Sequence, residues 1–587
     1  MWVENHHDEL VALHDADLAQ RLGWWATRHA LWDKAIFWFR RSLADEPEQS
    51  DVRYGLALAL RESGQFEDAC DAIAHNDDPK SRRLRADLAL DMAQAAQKRQ
   101  DHEAQIRWLR QAIADGRDDE AVKSMLAWAY YRQGDNRQAA DRFAYLYAKH
   151  PDADSAAGLY YSLQGLRQSA EIERLAAQGG PFAALARRRR AQELLDFGLP
   201  QAAASLEPQD MPLLSGLLEP SLRLGPAQRD KSGSSGSSQL QIRRMPDLSL
   251  RWPQSAQTWE FDLARVRLDA GPVTPATPIG SAVAGQPPVS TRIDAGWEPR
   301  LRWNREGLDS WSASLGLTPS DGPVSATISG SLDWQHSASG HAYTLRAYAE
   351  PVRDSILSYV GLRDPASGHE WGRVLRYGAG AQGYAALAAS GWNASGSLAL
   401  EHLSGHEVAG NIHLAAAAGV SRNLAVPGMR FFSIGPGMGY ERYARNLSAF
   451  TWGHGGYFSP QDFASAGLNL LFQTEDAKRF VARGQASAGW LAVRQAAASC
   501  FPLAPPLVTP TPACSSTDAS NSSGLGTSAE LNWAYLLSPH WAIEGSLGGR
   551  TGPAYRDHTF YLGLRYNLGA RSALFGADLP PTLRKLW

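Results

Sequence analysis

Residues 291–304 read Thr291-Arg292-Ile293-Asp294-Ala295-Gly296-Trp297-Glu298-Pro299-Arg300-Leu301-Arg302-Trp303-Asn304. The apolar side chains Ile293, Ala295, Trp297, Leu301 and Trp303 take odd positions. Arg292, Asp294, Glu298, Arg300, Arg302 and Asn304 take even ones. A period of two is that of a β-strand, which sends successive side chains to opposite faces. One face of this strand is therefore apolar and the other charged.

The same alternation recurs along the chain. Tyr343, Leu345, Ala347 and Ala349 oppose Thr344, Arg346, Tyr348 and Glu350. Trp392, Ala394, Leu398 and Leu400 oppose Asn393, Ser395, Ser397 and Glu401. Ala529, Leu531, Trp533 and Tyr535 oppose Ser528, Glu530 and Asn532, and Phe560, Leu562, Leu564 and Tyr566 oppose Tyr561, Arg565 and Asn567. Each run is about ten residues long, enough to cross a bilayer at a tilt. Roughly fifteen or sixteen such runs lie between Leu240 and Leu568, and the even strand number of bacterial single-chain barrels makes sixteen the expected count. A closed barrel is the sheet that satisfies every backbone polar group in lipid. The competing architecture, a large soluble sandwich or propeller, fits so many long strands with turns between them less well.

Composition agrees. The chain of 587 residues is long enough for two or more domains. No run of eighteen apolar residues occurs, so no transmembrane helix is expected. The mean hydropathy of -0.35 suits a barrel whose strands are half polar. Trp (20) and Gly (53) are abundant, as in barrels with aromatic girdles. The net charge of -3 gives no reason to expect a nucleic-acid partner. Met1 to Glu9 carries neither the basic nor the apolar region of a secretion signal. A chain bound for the outer membrane is then expected to be a fragment, or to have had its start assigned late.

Upstream of the strands the periodicity is helical. Residues 1–215 are rich in Ala, Leu, Arg, Glu and Gln. Ala35, Phe39 and Pro47 have the spacing of a tetratricopeptide (TPR) second helix and its closing Pro, and Ala139, Phe143 and Pro151 repeat it. Ala69 and Ala104 keep the phase, and Gly64 and Gly134 mark turns between paired helices. The fold class expected is thus a multidomain α+β chain: an all-α TPR solenoid over 1–218, a flexible linker over 219–239 containing Lys231-Ser232-Gly233-Ser234-Ser235-Gly236-Ser237-Ser238, and a sixteen-stranded antiparallel transmembrane β-barrel over 240–587. Cys70 reads as a small core residue. Cys500 and Cys514 flank a Pro-rich stretch and are candidates for a disulfide in an oxidising compartment.

A sixteen-stranded barrel holds an aqueous channel if nothing plugs it. The lumen-facing candidates for a sugar path are Arg300, Arg302, Arg346, Tyr348, Glu350, Tyr561 and Arg565. Such side chains can exchange hydrogen bonds with sugar hydroxyls much as water does. Arg353, Asp354, Asp364 and Trp371 follow a strand. They are expected either to fold into the pore as a constriction or gate, or to form a turn held by Arg–Asp pairing. No Cys/His cluster has metal-ligand spacing, no dinucleotide loop or zinc-protease helix is present, and no cofactor or enzyme activity is expected.

Certain motifs carry a resemblance. Pro351-Val352-Arg353-Asp354-Ser355-Ile356-Leu357-Ser358-Tyr359, followed by Arg363-Asp364-Pro365, Gly368 and Trp371-Gly372-Arg373-Val374, resembles the C-terminal domain of the cellulose synthase operon protein C family. So does Gly453-His454-Gly455-Gly456-Tyr457-Phe458-Ser459-Pro460-Gln461, with His454, Tyr457 and Phe458 at its centre, and so does the end, Asp578-Leu579-Pro580-Pro581 to Trp587. The resemblance implies an outer-membrane channel for a β-1,4-glucan. It also implies a periplasmic TPR domain that meets an inner-membrane cellulose synthase complex and other periplasmic proteins. Two alternatives stay open: export of another polysaccharide such as poly-N-acetylglucosamine, and a barrel-anchored periplasmic assembly or receptor protein, which would have a plugged lumen.

Overall fold

The computed structural model describes residues 6–206, 211–273, 277–283, 289–387, 391–507, 514, 516–553 and 555–580. The first five residues and the last seven, including the Trp587 end quoted above, lie outside the described residues, as does part of the Pro-rich stretch between the cysteines. The chain divides into two compact units, Met1–Arg189 and Arg190–Trp587.

The first unit is helical. After α1 (His7–Ala12) come α2 (Ala16–Arg28) and α3 (Trp32–Asp45), α4 (Ser50–Glu62) and α5 (Phe66–Ile73), α6 (Pro79–Lys98) and α7 (His102–Ala114), α8 (Glu120–Gln133) and α9 (Asn136–Lys149), α10 (Ala153–Gly165) and α11 (Ser169–Ala176). Phe39 is fully buried between Gly23 and Gly55, where an added Cβ would lie 2.6 Å from its ring. Phe143 fills the same gap against Gly158. Small residues thus let the helices approach, and an aromatic closes the space between them. Gly134 caps α8 in the left-handed region at φ 89°, which a side chain disfavours. Arg61 pairs with Asp91 at 2.7 Å and Arg85 with Asp115 at 2.6 Å, tying successive units across the same sequence interval. Burial pushes the Cys70 thiol up to about 11, as suits a packing residue.

The second unit is the barrel. Its long strands are β1 (Ser221–Lys231), β2 (Leu240–Gln254), β3 (Gln257–Asp269), β4 (Arg292–Arg305), β5 (Asp309–Leu317), β6 (Ile328–Ala338), β7 (His341–Pro351), β8 (Glu370–Leu387), β9 (Trp392–His406), β10 (Val408–Asn423), β11 (Met429–Tyr443), β12 (Asp462–Thr474), β13 (Phe480–Gln495), β14 (Ser520–Leu536), β15 (Trp541–Gly552) and β16 (Tyr555–Asn567). Each pairs antiparallel with its sequence neighbours, and β1 pairs with β16 to close the ring. A two-residue strand, Leu362–Arg363, merely extends the edge of β8.

Two sequence readings need correction. The stretch read as a linker contributes a strand: residues 221–231 are β1, and only the turn after it is irregular. Its outward face carries Pro226, Gln228 and Asp230 beside Leu222 and Leu224, which masked the alternation. Pro226 sits where the β1–β2 register shifts, a position that tolerates its missing N–H. The helical stretch runs on through α12 (Gly180–Asp196) and α13 (Pro200–Leu206), and the boundary between the two compact units falls inside α12, at Arg189.

The second correction concerns 291–304. The register shifts opposite Gly296, which has φ 77°. This bulge exchanges the two faces. Before it, Ile293 and Ala295 pack inward while Arg292 and Asp294 are exposed; after it, Glu298, Arg300 and Arg302 turn inward and Trp297 and Leu301 turn outward.

The outer face identifies the solvent. Exposed Leu224, Leu250, Phe261, Leu301, Leu315, Leu332, Leu398, Leu414, Leu468, Leu525 and Leu564 form an apolar band. At the end with short turns it is bordered by Trp252, Trp259, Trp303, Trp311, Trp334, Trp392, Phe480, Tyr535, Trp541 and Tyr566, many of them cross-strand partners. A lipid-facing band edged by an aromatic girdle is the signature of a transmembrane barrel.

Because Phe39 fills a fully enclosed gap, Phe39→Ala is expected to destabilise the helical unit by about 3–5 kcal/mol. Circular-dichroism melting at 222 nm should show the helical transition move down while the β-signal persists.

Candidate functional site

Two elements enter the barrel from its ends. At the end opposite the short turns, loops 352–369 (β7–β8), 444–461 (β11–β12) and part of 270–291 (β3–β4) fold inward. Ile356, Leu357, Tyr359 and Val360 of a short helix, α14 (Ile356–Val360), join Leu447, Phe450, Trp452, Tyr457 and Ile279 in one apolar cluster. It packs on the inward-facing Ile242, Val266, Leu268, Val374, Leu403 and Tyr443. This is a plug made of loop residues seated on an apolar ring of the wall.

Charged anchors hold the plug to β1, β2 and β4. Glu298, almost fully buried, accepts from Arg244, from Arg353 at 2.9 Å and from the Tyr359 hydroxyl at 3.1 Å. Arg229 donates to Asp557 at 2.8 Å and to the Arg353 carbonyl at 2.7 Å. Lys231 reaches the Asp354 carboxylate at 2.8 Å, and the other oxygen of Asp354 accepts from the Phe458 amide at 2.7 Å. Burial would raise the Asp354 carboxyl, but the charges of Lys231 and Arg229 outweigh it and hold it below the usual carboxylate range. Asp364 accepts from the Ser281 amide at 3.0 Å and hydroxyl at 2.6 Å, and from the Ser367 hydroxyl at 2.5 Å. Burial raises its carboxyl too, and these hydrogen bonds bring it below the usual range. Trp371 is fully buried, 5.5 Å from the ring of Trp452. Arg353, Asp354, Asp364 and Trp371 therefore belong to one inward structure, with Arg353 and Asp354 pairing to the wall rather than to each other.

The glycine motif serves the same plug. Gly453 (φ 88°) and Gly456 (φ 64°) adopt left-handed backbone, and a Cβ on Gly455 would lie 2.4 Å from the Tyr457 ring. Tyr457 is buried with its hydroxyl 3.2 Å from the Asn411 amide, whereas Phe458 is exposed. His454 is buried with Nε2 3.0 Å from the Ser499 carbonyl, and burial lowers its pKa. Cys500 and Cys514 are joined in a disulfide, and the Cys500 carbonyl accepts from Thr451. The β13–β14 loop is thereby fastened to the plug, a link that no sequence pattern announced.

At the short-turn end, residues 190–206, 211–218 and 568–580 pack together around Leu194, Ala203, Leu214, Leu217 and Phe575. The Gln201 amide donates to the carbonyls of Ser255 (2.8 Å) and Gln257 (2.6 Å), and Glu306 accepts from the Gln201 amide N–H at 3.0 Å. On the other side, Gly576 donates to Asp476 at 2.6 Å. These segments span the end from the β2–β3 turn to the β12–β13 turn.

All seven lumen candidates have inward side chains, but none is free. Arg302 pairs with Asp262 (2.6 Å) and Glu260 (3.2 Å); Arg300 lies 3.9 Å from Glu298. Arg346 pairs with Glu350 at 2.7 Å and Asp333 at 3.0 Å, and Tyr348 donates to Glu401. Tyr561 donates to Glu544 at 3.0 Å, and Arg565 lies 3.5 Å from Glu544 and from Asp578. They brace the wall from inside. The sequence could not distinguish a lumen side chain that meets cargo from one that meets its neighbour.

The geometry defines a class: a closed transmembrane β-barrel with an inward loop plug. Comparison then places the chain. Residues 238–569, more than half of it, match the family described as Cellulose synthase operon protein C C-terminus (BCSC_C), and the protein belongs to that family. A stretch of 162 residues is 34% identical to "Cellulose synthase 2 operon protein C" of Komagataeibacter xylinus, covering 27% of this chain and 12% of that protein. A stretch of 224 residues is 32% identical to "Cellulose synthase operon protein C" of Xanthomonas axonopodis pv. citri, covering 36% and 14%. The same-named protein of Escherichia coli K12 is 26% identical over 299 residues, covering 50% and 25%. The chain thus spans about a quarter or less of the length of the curated relatives it matches. Among solved structures, a "Bacterial polysaccharide outer membrane secretin" aligns with TM-score 0.36 and 9% identity over 60% of this chain and 99% of its own.

Asp354 and Asp364 have depressed pKa values, so their contribution to loop docking is fully present above the unfolded carboxyl value of about 3.9 and is lost as pH falls through the folded values. Hydrogen exchange in residues 352–364, corrected for intrinsic rates, is expected to accelerate below about pH 4 and to stay flat from pH 5 to 8.

Proposed function

We infer that the protein is an outer-membrane channel for a bacterial exopolysaccharide, with cellulose, a β-1,4-glucan, as the polymer. The carrying observation is the combination of a sixteen-stranded lipid-facing barrel with an inward plug of loops, in a chain of the cellulose synthase operon protein C family. A barrel of this strand number has room for a hydrated polysaccharide once its plug withdraws. The relatives' names tie them to cellulose synthesis, which favours that polymer over poly-N-acetylglucosamine.

Orientation supports the reading. An even-stranded meander returns the chain to the end where it entered, so residues 190–220 and 568–580 share the short-turn end. In bacterial barrels short turns face the periplasm and long loops face outward. The helical unit then belongs to the periplasm, where a TPR array offers a surface to an inner-membrane synthase complex and to periplasmic proteins. The chemistry asked of the protein is passage, with no bond made or broken.

A second reading draws on the same plug: a barrel that never opens would serve as an anchor for the helical array. Single-channel recording in planar bilayers separates the two. The wild type is expected to show small or rare steps, and Arg353→Ala with Asp354→Ala to raise conductance while the barrel stays folded. Soluble cello-oligosaccharides should then block the enlarged steps. A variant that remains silent after residues 352–364 are deleted would favour the anchor.

A further inference from the structure

The inner wall has two unlike sides, joined on one flank by β5–β8, where Arg346 pairs with Asp333 and Glu350. On β1–β4 and β14–β16 it is charged, and the charges are spent on one another. Glu260 meets Arg223 and Arg302, Arg229 meets Asp557, and Glu544 is wholly buried beside Tyr561 and Arg565. Ser249 and Ser546 on the same half are buried. The plug covers this half at one end through Glu298, Arg229 and Lys231, and Asp578 of the C-terminal segment covers it at the other through Arg565.

The half formed by β9–β13 is different. Between the Glu401–His413–Glu441 cluster near the plug and Arg483 toward the short turns, its inward positions are Gly, Ala and Ser with a few larger uncharged side chains. None of the inward positions of 393–399, 415–421, 433–439, 465–471 and 485–491 is charged. Ser395, Ser397, Ala417, Asn469 and Gln485 are exposed. On the inside of a closed barrel, exposure means contact with open lumen. The free bore therefore lies against this half, and its surface is smooth and neutral.

We propose that the translocated glycan runs along the β9–β13 wall and that this wall selects an uncharged, hydroxyl-rich polymer. The inference rests on the export reading above. A charged polymer would need facing counter-charges, and those of the barrel are already paired, most of them buried. A neutral glucan needs only hydrogen bonds that water can replace. The Asn469 amide and the Ser395 and Ser397 hydroxyls supply these, each worth little net, while the Gln485 amide already donates to Glu530 at 2.8 Å. Gly and Ala between them leave no side chain to catch a passing ring. At the short-turn end of this half, Tyr384 of β8 is 41% exposed, with its hydroxyl held by Asn393 at 2.8 Å. Its ring offers the flat apolar face that sugars stack on.

The test uses the full chain in lipid vesicles and substitutions small enough to preserve folding. Ser395→Cys and Ser397→Cys probe the open wall, and Ser249→Cys and Ser546→Cys the charged one. Modification by a water-soluble methanethiosulfonate is followed by intact mass, with Cys70 as the common background. The open-wall cysteines are expected to react at least tenfold faster. Cellohexaose should slow that reaction at least fivefold, and an oligogalacturonate of equal length should not. Equal rates on the two halves would overturn the path, and equal protection by the charged oligosaccharide would overturn the selection. Absence of protection while cellohexaose still blocks conductance would overturn the path alone. If cellohexaose neither protects nor blocks the plug-released barrel, the export reading fails and this inference falls with it.

Discussion

Pairing of β1 with β16, from Ser221 opposite Asn567 to Lys231 opposite Asp557, is the contact on which the molecule depends. In hydrocarbon an open strand edge leaves N–H and C=O groups without partners, at several kcal/mol each. Closure removes both edges at once and fixes the shear, tilt and bore of the ring. It also explains why a strand with so weak an apolar signature is kept. The requirement on β1 is that its backbone complete the ladder, and Pro226 is accommodated by the register shift beside it.

Once the ring is closed, the interior has to be made compatible with both water and lipid, and the protein uses two materials. Salt-bridged charges line one half, where carboxylates are matched by guanidinium, hydroxyl or amide groups, since a buried charge left alone is far costlier than one in a network. Small neutral residues line the other. Above both sits the plug, apolar where it meets Ile242, Val266 and Leu268 and charged where it meets Glu298, Arg229 and Lys231. Burial of its apolar contacts stabilises the seated plug, while its ionic anchors give it a register and a dependence on charge. The helical unit follows a separate logic of repetition, in which Phe39 and Phe143 perform the same packing task against different glycines.

Much of this was legible in the sequence. Strict alternation in β7, β9, β14 and β16 sorted inward from outward side chains, because a strand has no other way to place them. The TPR phase in Ala35, Ala69, Ala104 and Ala139 was equally direct. Reading stopped where backbone conformation departs from regularity. One glycine, Gly296, reversed the faces within the very stretch that set the fold, and nothing in its neighbours marks which glycine of a strand bulges. The site was less legible than the fold: the motifs around Arg353 and His454 stood out, but their mutual packing did not.

By itself, the sequence determined that the strands divide between two solvents and that the chain holds two architectures, because these depend on local periodicity and on the backbone's need for partners. Tertiary structure alone decided which inward charges find one another, that Asp354 is held by Lys231 and the Phe458 amide, and that the free bore lies against β9–β13. Those outcomes join residues far apart in the chain, and their distance is set by ring closure and loop path, which no local pattern encodes.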